Sequence, residues 1–374
     1  MDRPPPPRLA EVLAGRDNNL NAIRMLAAAA VMVSHAWPIT LGAGAVEPLY
    51  PQTGQTLGHF AVAVFFGVSG LLIARSFDRR RSMIQFLVAR VLRLFPALLV
   101  VLVLTVIAGA FVTQLGLAQY LGSRDTWTYV PANMSLAFMQ YALPGVFTDN
   151  AYGPPINGSL WTLFYEVACY GGVVVLGLLG ILRHRLAMLA VMVMATLLHF
   201  AGPLIAQSGE GLPAGFVARL ELLALLSFPF ALGTFAYVWR EQIRLSGWIA
   251  LLFWLPVPLL AGTGLMATFI TLALVYTTFW IGFVPKGRML VYNRLGDYSY
   301  GVYIYAFPVQ QLLVWQFPGM APVTNILLAA PVTLGMAILS WKLVEARAIA
   351  AGTPIADRLA VLLRLSPSAA DQSL

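Results

Sequence analysis

Arg24 and His35 bracket ten mostly apolar residues in RMLAAAAVMVSH. The chemistry they offer is anion binding and proton transfer. A guanidinium presents a rigid fork of N–H donors that suits phosphate, and an imidazole exchanges protons near neutral pH. On a helix, the eleven-residue step from Arg24 to His35 leaves the side chains roughly 20° from eclipsed and roughly 16 Å apart along the axis. Both therefore project from one stripe at different depths. A plainer reading stands beside this one: Arg24 snorkels to headgroups, and His35 makes an interhelical hydrogen bond.

Arg90 and Arg93 in FLVARVLRLFP are three residues apart, which puts both on one helix face. With Arg24 they would form a basic mouth for phosphates, or else they serve as topology-setting charge. Glu166, in NGSLWTLFYEVACY, falls at a depth comparable to that of His35. A carboxylate beside an imidazole orients it and raises its basicity. Glu166 could instead pair with another base or with the backbone. Trp161 and Tyr165 read as interfacial aromatics or as walls of a sugar site. Ser69, in GVSG, could be a nucleophile, although small residues in a membrane helix more often mean close packing.

The remaining histidines offer less. His59 starts an apolar run, His184 lies between two arginines in a turn, and His199 reads as a packing residue. Four scattered histidines and a single cysteine, Cys169, have no ligand spacing, so no metal site or intrachain disulfide is expected. No Walker loop, GxGxxG or GxSxG occurs in a supporting context.

The elements that position these groups are apolar. Of 374 residues 59% are hydrophobic and only 10% charged, and the mean hydropathy is +0.79. A soluble domain carries about 25% charged residues, so this is an all-α, polytopic transmembrane bundle. Ten stretches approach the roughly 20 apolar residues a span requires: 20–41, 57–75, 84–112, 159–181, 186–206, 217–239, 246–262, 264–284, 298–317 and 322–345. The segment 131–147 is short and Pro-flanked, and reads as interfacial or re-entrant within a loop at 113–158. Residues 1–17 form a Pro-rich cytoplasmic segment expected to be disordered, without the apolar core of a signal peptide. Residues 348–374 form a cytoplasmic tail, and its end, SPSAADQSL, also reads as disordered.

The net charge of +8 is a matter of topology rather than of nucleic-acid binding. With the N-terminus cytoplasmic, 18 of the 23 Lys and Arg residues fall in cytoplasmic segments, and the opposite face has only Arg124 and Arg219. That bias follows the positive-inside rule and predicts both termini inside.

In order along the chain, the Arg24/His35 pair, FFGVSGLLI, ARVLRLFP, NGSLWTLFYE, LGDYSYGVYIYAFP and SWKLVE resemble the membrane acyltransferase 3 family. These are bacterial O-acyltransferases that modify cell-surface and secreted glycans, and the resemblance covers about residues 18–347. It implies transfer of an acyl group, commonly acetyl, from acyl-CoA as co-substrate, with no bound cofactor. The acceptor it implies is a hydroxyl of an extracytoplasmic carbohydrate or glycolipid, and the setting is the bacterial inner membrane. Arg24, His35, Arg90 and Arg93 match the family's functional motifs, and Glu345 matches its late glutamate. Asn21, Ala63, Ala306 and Ala346 depart from residues common in the family (Asp, an acidic residue, His and Pro). Ala63 and Ala306 cannot ionise, so any ionisable role there is lost or relocated.

The resulting expectation has acyl-CoA phosphates at Arg24, Arg90 and Arg93, His35 as general base, and Glu166 orienting it. Ser69, Trp161, Tyr165 and Glu345 are expected to be structural or to lie at the acceptor site, with Asp149, Asn150 and Asn157 contributing from the outer loop. A covalent acyl-histidine or acyl-serine intermediate would use the same residues. A transporter or flippase of a glycan or lipid-linked sugar is the competing class, since internal His and Arg suit a proton-coupled carrier. It lacks an inverted repeat and paired broken helices.

Overall fold

A computed structural model describes residues 5–15, 17–79, 82–208 and 213–363. Arg3, Arg16, Arg80, Arg81, Arg364 and the SPSAADQSL segment lie outside the described residues. The described chain is an all-α bundle without strands. Its main helices are α1 (Leu20–Leu41), α2 (Leu57–Arg79), α3 (Met83–Val112), α4 (Trp161–Leu178), α5 (Arg185–Ser208), α6 (Ala214–Val238), α7 (Gly247–Trp254), α8 (Leu265–Phe283), α9 (Ser299–Gln316), α10 (Pro322–Ser340) and α11 (Gly352–Leu362).

Each of the ten predicted stretches contains a helix, but they are not equivalent. Eight described helices are long and apolar enough to cross a membrane. Two stretches differ, each for a physical reason. Pro256 begins a new turn, Pro256–Leu259, right after α7, and eight residues of helix span only about 12 Å. Helix α9 is long enough, but it is buried on nearly every side and carries Gln310 and Gln311, both fully buried. A helix enclosed by other helices has no need of the apolar coat that lipid demands.

Helix α2 packs against α1, α4, α6 and α8. Its GVSG segment permits a very close crossing with α6. A Cβ on Gly70 would lie 2.0 Å from the Phe230 carbonyl oxygen, and one on Gly233 would lie 2.0 Å from that of Gly67. Small residues let helix backbones approach where lipid supplies no hydrophobic drive.

The basic loops converge on one end of the bundle. Arg8 bridges Arg244, Lys286 Nζ donates to the Asp17 carbonyl at 2.7 Å, Tyr237 donates to Asp78 at 2.5 Å, and Gln85 donates to Asp357 at 3.4 Å. Arg219, at the far end, donates instead to Ala137 O at 2.7 Å.

The expectation of a disordered N-terminal segment is corrected over its described part. Leu9–Leu13 is a helix whose Leu9 and Leu13 are buried. The two leucines share a face at i, i+4, and the Leu9 N–H donates to Ile243 O at 2.8 Å. After α10 the chain makes a π turn, Trp341–Glu345, and a further turn of helix, Ala346–Ala350. Helix α11 then folds back on α3 and buries Ala356, so the predicted tail is helical as far as Leu362.

The predicted loop at 113–158 contains two helices, Leu117–Gly122 and Arg124–Met134. The remainder is tied to α9. Asn150 Nδ2 donates to Gln311 Oε1 at 2.8 Å, Asn157 Nδ2 donates to Ile304 O at 2.8 Å, and Gln311 Nε2 donates to Pro155 O at 2.7 Å.

Candidate functional site

Among the described residues, two of the cavities hold most of the predicted site residues. The inner one, about 260 Å³, is at the basic end. Arg24, Arg90, Arg93, Ser69, Glu166, Tyr170 and Tyr300 line it, with Ile349, Gly352 and Thr353 from the C-terminal segment. That volume is below the roughly 300–1,000 Å³ of a site enclosing a drug-sized ligand. The three arginines predicted to converge do so.

Carboxylates hold Arg24 and Arg93. Arg24 Nη1 donates to Asp297 Oδ2. Arg93 Nη2 donates to the same oxygen at 2.6 Å, and Arg93 Nη1 donates to Glu345 Oε2 at 3.2 Å. The network ties α1, α3 and the π turn to the loop before α9. Burial pushes the Asp297 carboxyl upward, but the Arg24 and Arg93 guanidiniums and Ser299 outweigh it and hold it at about 2, below the ordinary 3.8. The Ser299 hydroxyl donates to Asp297 Oδ1 at 2.5 Å.

The π turn brings Glu345 and Trp341 to the same guanidinium. Trp341 lies 5.7 Å from Arg93, and Ser340 Oγ donates to Glu345 Oε1 at 2.9 Å. Gly296, at φ +117°, admits the indole, since a Cβ there would lie 2.3 Å from Trp341 Nε1. Each guanidinium has five N–H donors, so pairing with Asp297 leaves Arg24 further donors.

Glu166 is part of the inner cavity. It accepts hydrogen bonds from Tyr170 and, at 3.2 Å, from Ser69 Oγ. The expected partnership with His35 is corrected: Glu166 lines the inner cavity and His35 the outer. Ser69 shares the GVSG segment with the packing glycines, but its own side chain faces the cavity.

The outer cavity, about 590 Å³, is lined by His35, Ser34, Glu47, His59, Tyr152 and Trp161 among others. His35 packs edge-on against Phe307, with centroids 5.2 Å apart. Its Nδ1 is buried and has no hydrogen-bond partner among the described residues. Phe307 is seated by Gly158, where a Cβ would lie 2.7 Å from Phe307 Cε2.

Glu47 is the carboxylate of this cavity. It is buried, accepts from Ser34 Oγ at 2.5 Å, and accepts the N–H of Leu57, the first residue of α2. Of the two aromatics expected near the acceptor, Trp161 lines the cavity. Tyr165 is buried in the core, edge-on to Trp161 and Phe164. Asn150 and Asn157 anchor the loop to α9, and Asp149 accepts from Gln114 at 2.5 Å. None of the three lines the outer cavity, whereas Tyr152 of the same loop does.

His199 bonds Thr268 at 3.0 Å and stacks on Phe228, which makes it a packing histidine. His184 is exposed in its turn. No cluster of His, Cys, Asp or Glu among the described residues is arranged to hold a metal.

Asp297, Glu47 and Phe307 were not singled out in the sequence. Asp297 stands inside LGDYSYGVY as the one carboxylate of that motif. Glu47 is the one carboxylate between two apolar runs. Both were visible as isolated acids beside spans.

The two cavities share three residues: Val62 of α2, Thr162 of α4 and Tyr303 of α9. The Thr162 and Tyr303 hydroxyls are 2.5 Å apart, and Tyr303 donates to Ser159 O at 2.9 Å.

A family model described as an acyltransferase domain matches residues 17–344. An "O-acetyl transferase" of Shigella phage Sf6 is 32% identical over 91% of this chain and 98% of its own length. "Nodulation protein 10" of Rhizobium leguminosarum bv. viciae is 29% identical over 93% of this chain and 98% of its own. No solved structure matches the chain.

Proposed function

We propose, because the chain belongs to the acyltransferase domain family, that it moves an acyl group, acetyl foremost, from acyl-CoA to a hydroxyl of a carbohydrate or glycolipid. The donor's phosphates approach the inner cavity from the cytoplasm, the side assigned to the basic loops by charge bias. Arg90, at the same cavity as Thr353 of α11, is one phosphate contact. Arg24 adds the donors that Asp297 leaves unused. The pantetheine arm then runs between the helices toward His35.

The acceptor enters the outer cavity, where Trp161 and Tyr152 offer ring faces. His35 takes the hydroxyl proton as the oxygen attacks the thioester carbonyl. The C–O bond of the ester forms and the C–S bond breaks. CoA leaves as the thiolate and takes a proton from solvent, and His35 returns its own proton to the outer cavity. The compartment consistent with this route is the bacterial inner membrane. The observation that carries the reading is the pairing of a guanidinium-lined cavity with a histidine-lined one across a shared wall.

Purified His35→Ala and Arg24→Ala proteins should fold and lose transfer from acetyl-CoA, with a deficit of about 10²-fold or more for His35→Ala. Full activity of His35→Ala would sink the mechanism. Arg90→Ala should raise the KM for acyl-CoA, and an unchanged KM would remove Arg90 from the donor site.

A further inference from the structure

The wall between the cavities is built from specific side chains. Val62, Thr162 and Tyr303 each face both sides. Tyr303 is not free to swing. Its hydroxyl is held between Thr162 Oγ1 and the Ser159 carbonyl, and its ring is edge-on to Phe65 at 5.9 Å. Each hydroxyl has one proton, and both reach the Ser159 carbonyl, Tyr303 at 2.9 Å and Thr162 at 3.5 Å, so the two share that acceptor and each other. The backbone of Ser159 is fixed in turn, because its N–H donates to Asn157 Oδ1 at 3.2 Å and Asn157 is tied to α9. Two of the three wall residues thus belong to a hydrogen-bonded frame. Val62, β-branched and restricted at χ1, is the third.

We propose that Val62, Thr162 and Tyr303 form a fixed aperture that selects the acyl donor by bulk at the carbon next to the thioester carbonyl. The inference rests on the donor reading above. A donor held at Arg24 and Arg90 presents its acyl end foremost, and that end must pass these three side chains to reach His35. The cross-section of the aperture therefore decides which acyl group arrives, whatever the room on either side. In an acetyl group that carbon is a bare methyl, and in an isobutyryl group it carries two methyl substituents. Interiors packed at crystal-like density do not yield freely to one added methyl, and the hydrogen-bonded frame stiffens this one further. The aperture lining is apolar apart from two hydroxyls that are already engaged.

The experiment measures binding of acetyl-CoA and isobutyryl-CoA to the purified full-length protein in detergent. Wild type should bind isobutyryl-CoA at least about tenfold more weakly, the scale of a methyl-sized misfit in a packed pocket. Val62→Ala, which widens the aperture, should bring the two donors within about threefold of each other. Thr162→Ser, which removes one methyl and keeps the hydroxyl, should narrow the gap in the same direction. A general loss of packing would weaken both donors together and would not favour the bulkier one. Equal binding of the two donors by wild type, or an unchanged gap in both variants, overturns the aperture and leaves the donor reading standing. Absence of acetyl-CoA binding by wild type overturns both.

Discussion

Arg93 and Asp297 are joined across the bundle by a 2.6 Å hydrogen-bonded ion pair, from the middle of one helix to the turn before another. Arg24 reaches the same carboxylate oxygen, so one acid is shared by two cations drawn from separate helices.

Removing that acid leaves two guanidiniums facing each other. Breaking a buried pair by deleting one partner costs about 3–5 kcal/mol. Asp297→Asn should therefore lower the Tm in detergent, and the loss should be pH-dependent. The folded carboxyl titrates at about 2 against an ordinary 3.8. Its contribution is complete above 3.8 and fades as pH falls toward 2. The stability gap between wild type and Asp297→Asn should be widest near neutrality and shrink across that acid window. A gap independent of pH would show that the charge is not what stabilises.

Phe307 sets the seat of His35, and Gly158 sets the seat of Phe307. Phe307→Ala should lower kcat for transfer by up to about 10²-fold, the cost of misplacing a reacting group by an ångström. The KM for acyl-CoA should stay near its wild-type value, because the donor's arginines are elsewhere. Gly158→Ala, which places a Cβ 2.7 Å from the same ring, should reproduce the effect. Steady-state kinetics at saturating acceptor would separate the two parameters.

Glu166 bonds Ser69 and Tyr170, not His35. The pH midpoint of transfer should therefore be the same in Glu166→Gln as in wild type, with any change confined to the donor's KM. A midpoint displaced in Glu166→Gln would restore the carboxylate to the proton-transfer chain.

The fold class was legible because apolar runs of spanning length are a strong signal. The gathering of Arg24, Arg90 and Arg93 was legible from one-dimensional spacing. Depth was readable along one helix but not between two helices. His35 and Glu166 sit at similar offsets from the outer ends of their helices, yet Gly158 already meets Phe307, the ring that packs on His35, and Glu166 follows eight residues further in, on the inner cavity. Asp297 escaped notice because its partners are 273 and 204 residues away, beyond any local pattern. Helix α9 read as a span by length. Its buried amides report enclosure by other helices, which only the packing reveals.

Those amides bear on how the chain enters a membrane. Gln310 Nε2 donates to Met32 O at 3.0 Å, and Asn325 of α10 donates to Gln310 O at 3.2 Å. In bare lipid, α9 would hold two glutamine side chains with no partner, a state the hydrocarbon penalises heavily. The Gln310 amide finds its partner on the first helix, and the Gln311 amide finds its partners, Asn150 and Pro155, on the loop before α4. Every one of these side-chain partners precedes α9 in the chain, so the place that satisfies its amides is already synthesised when α9 emerges.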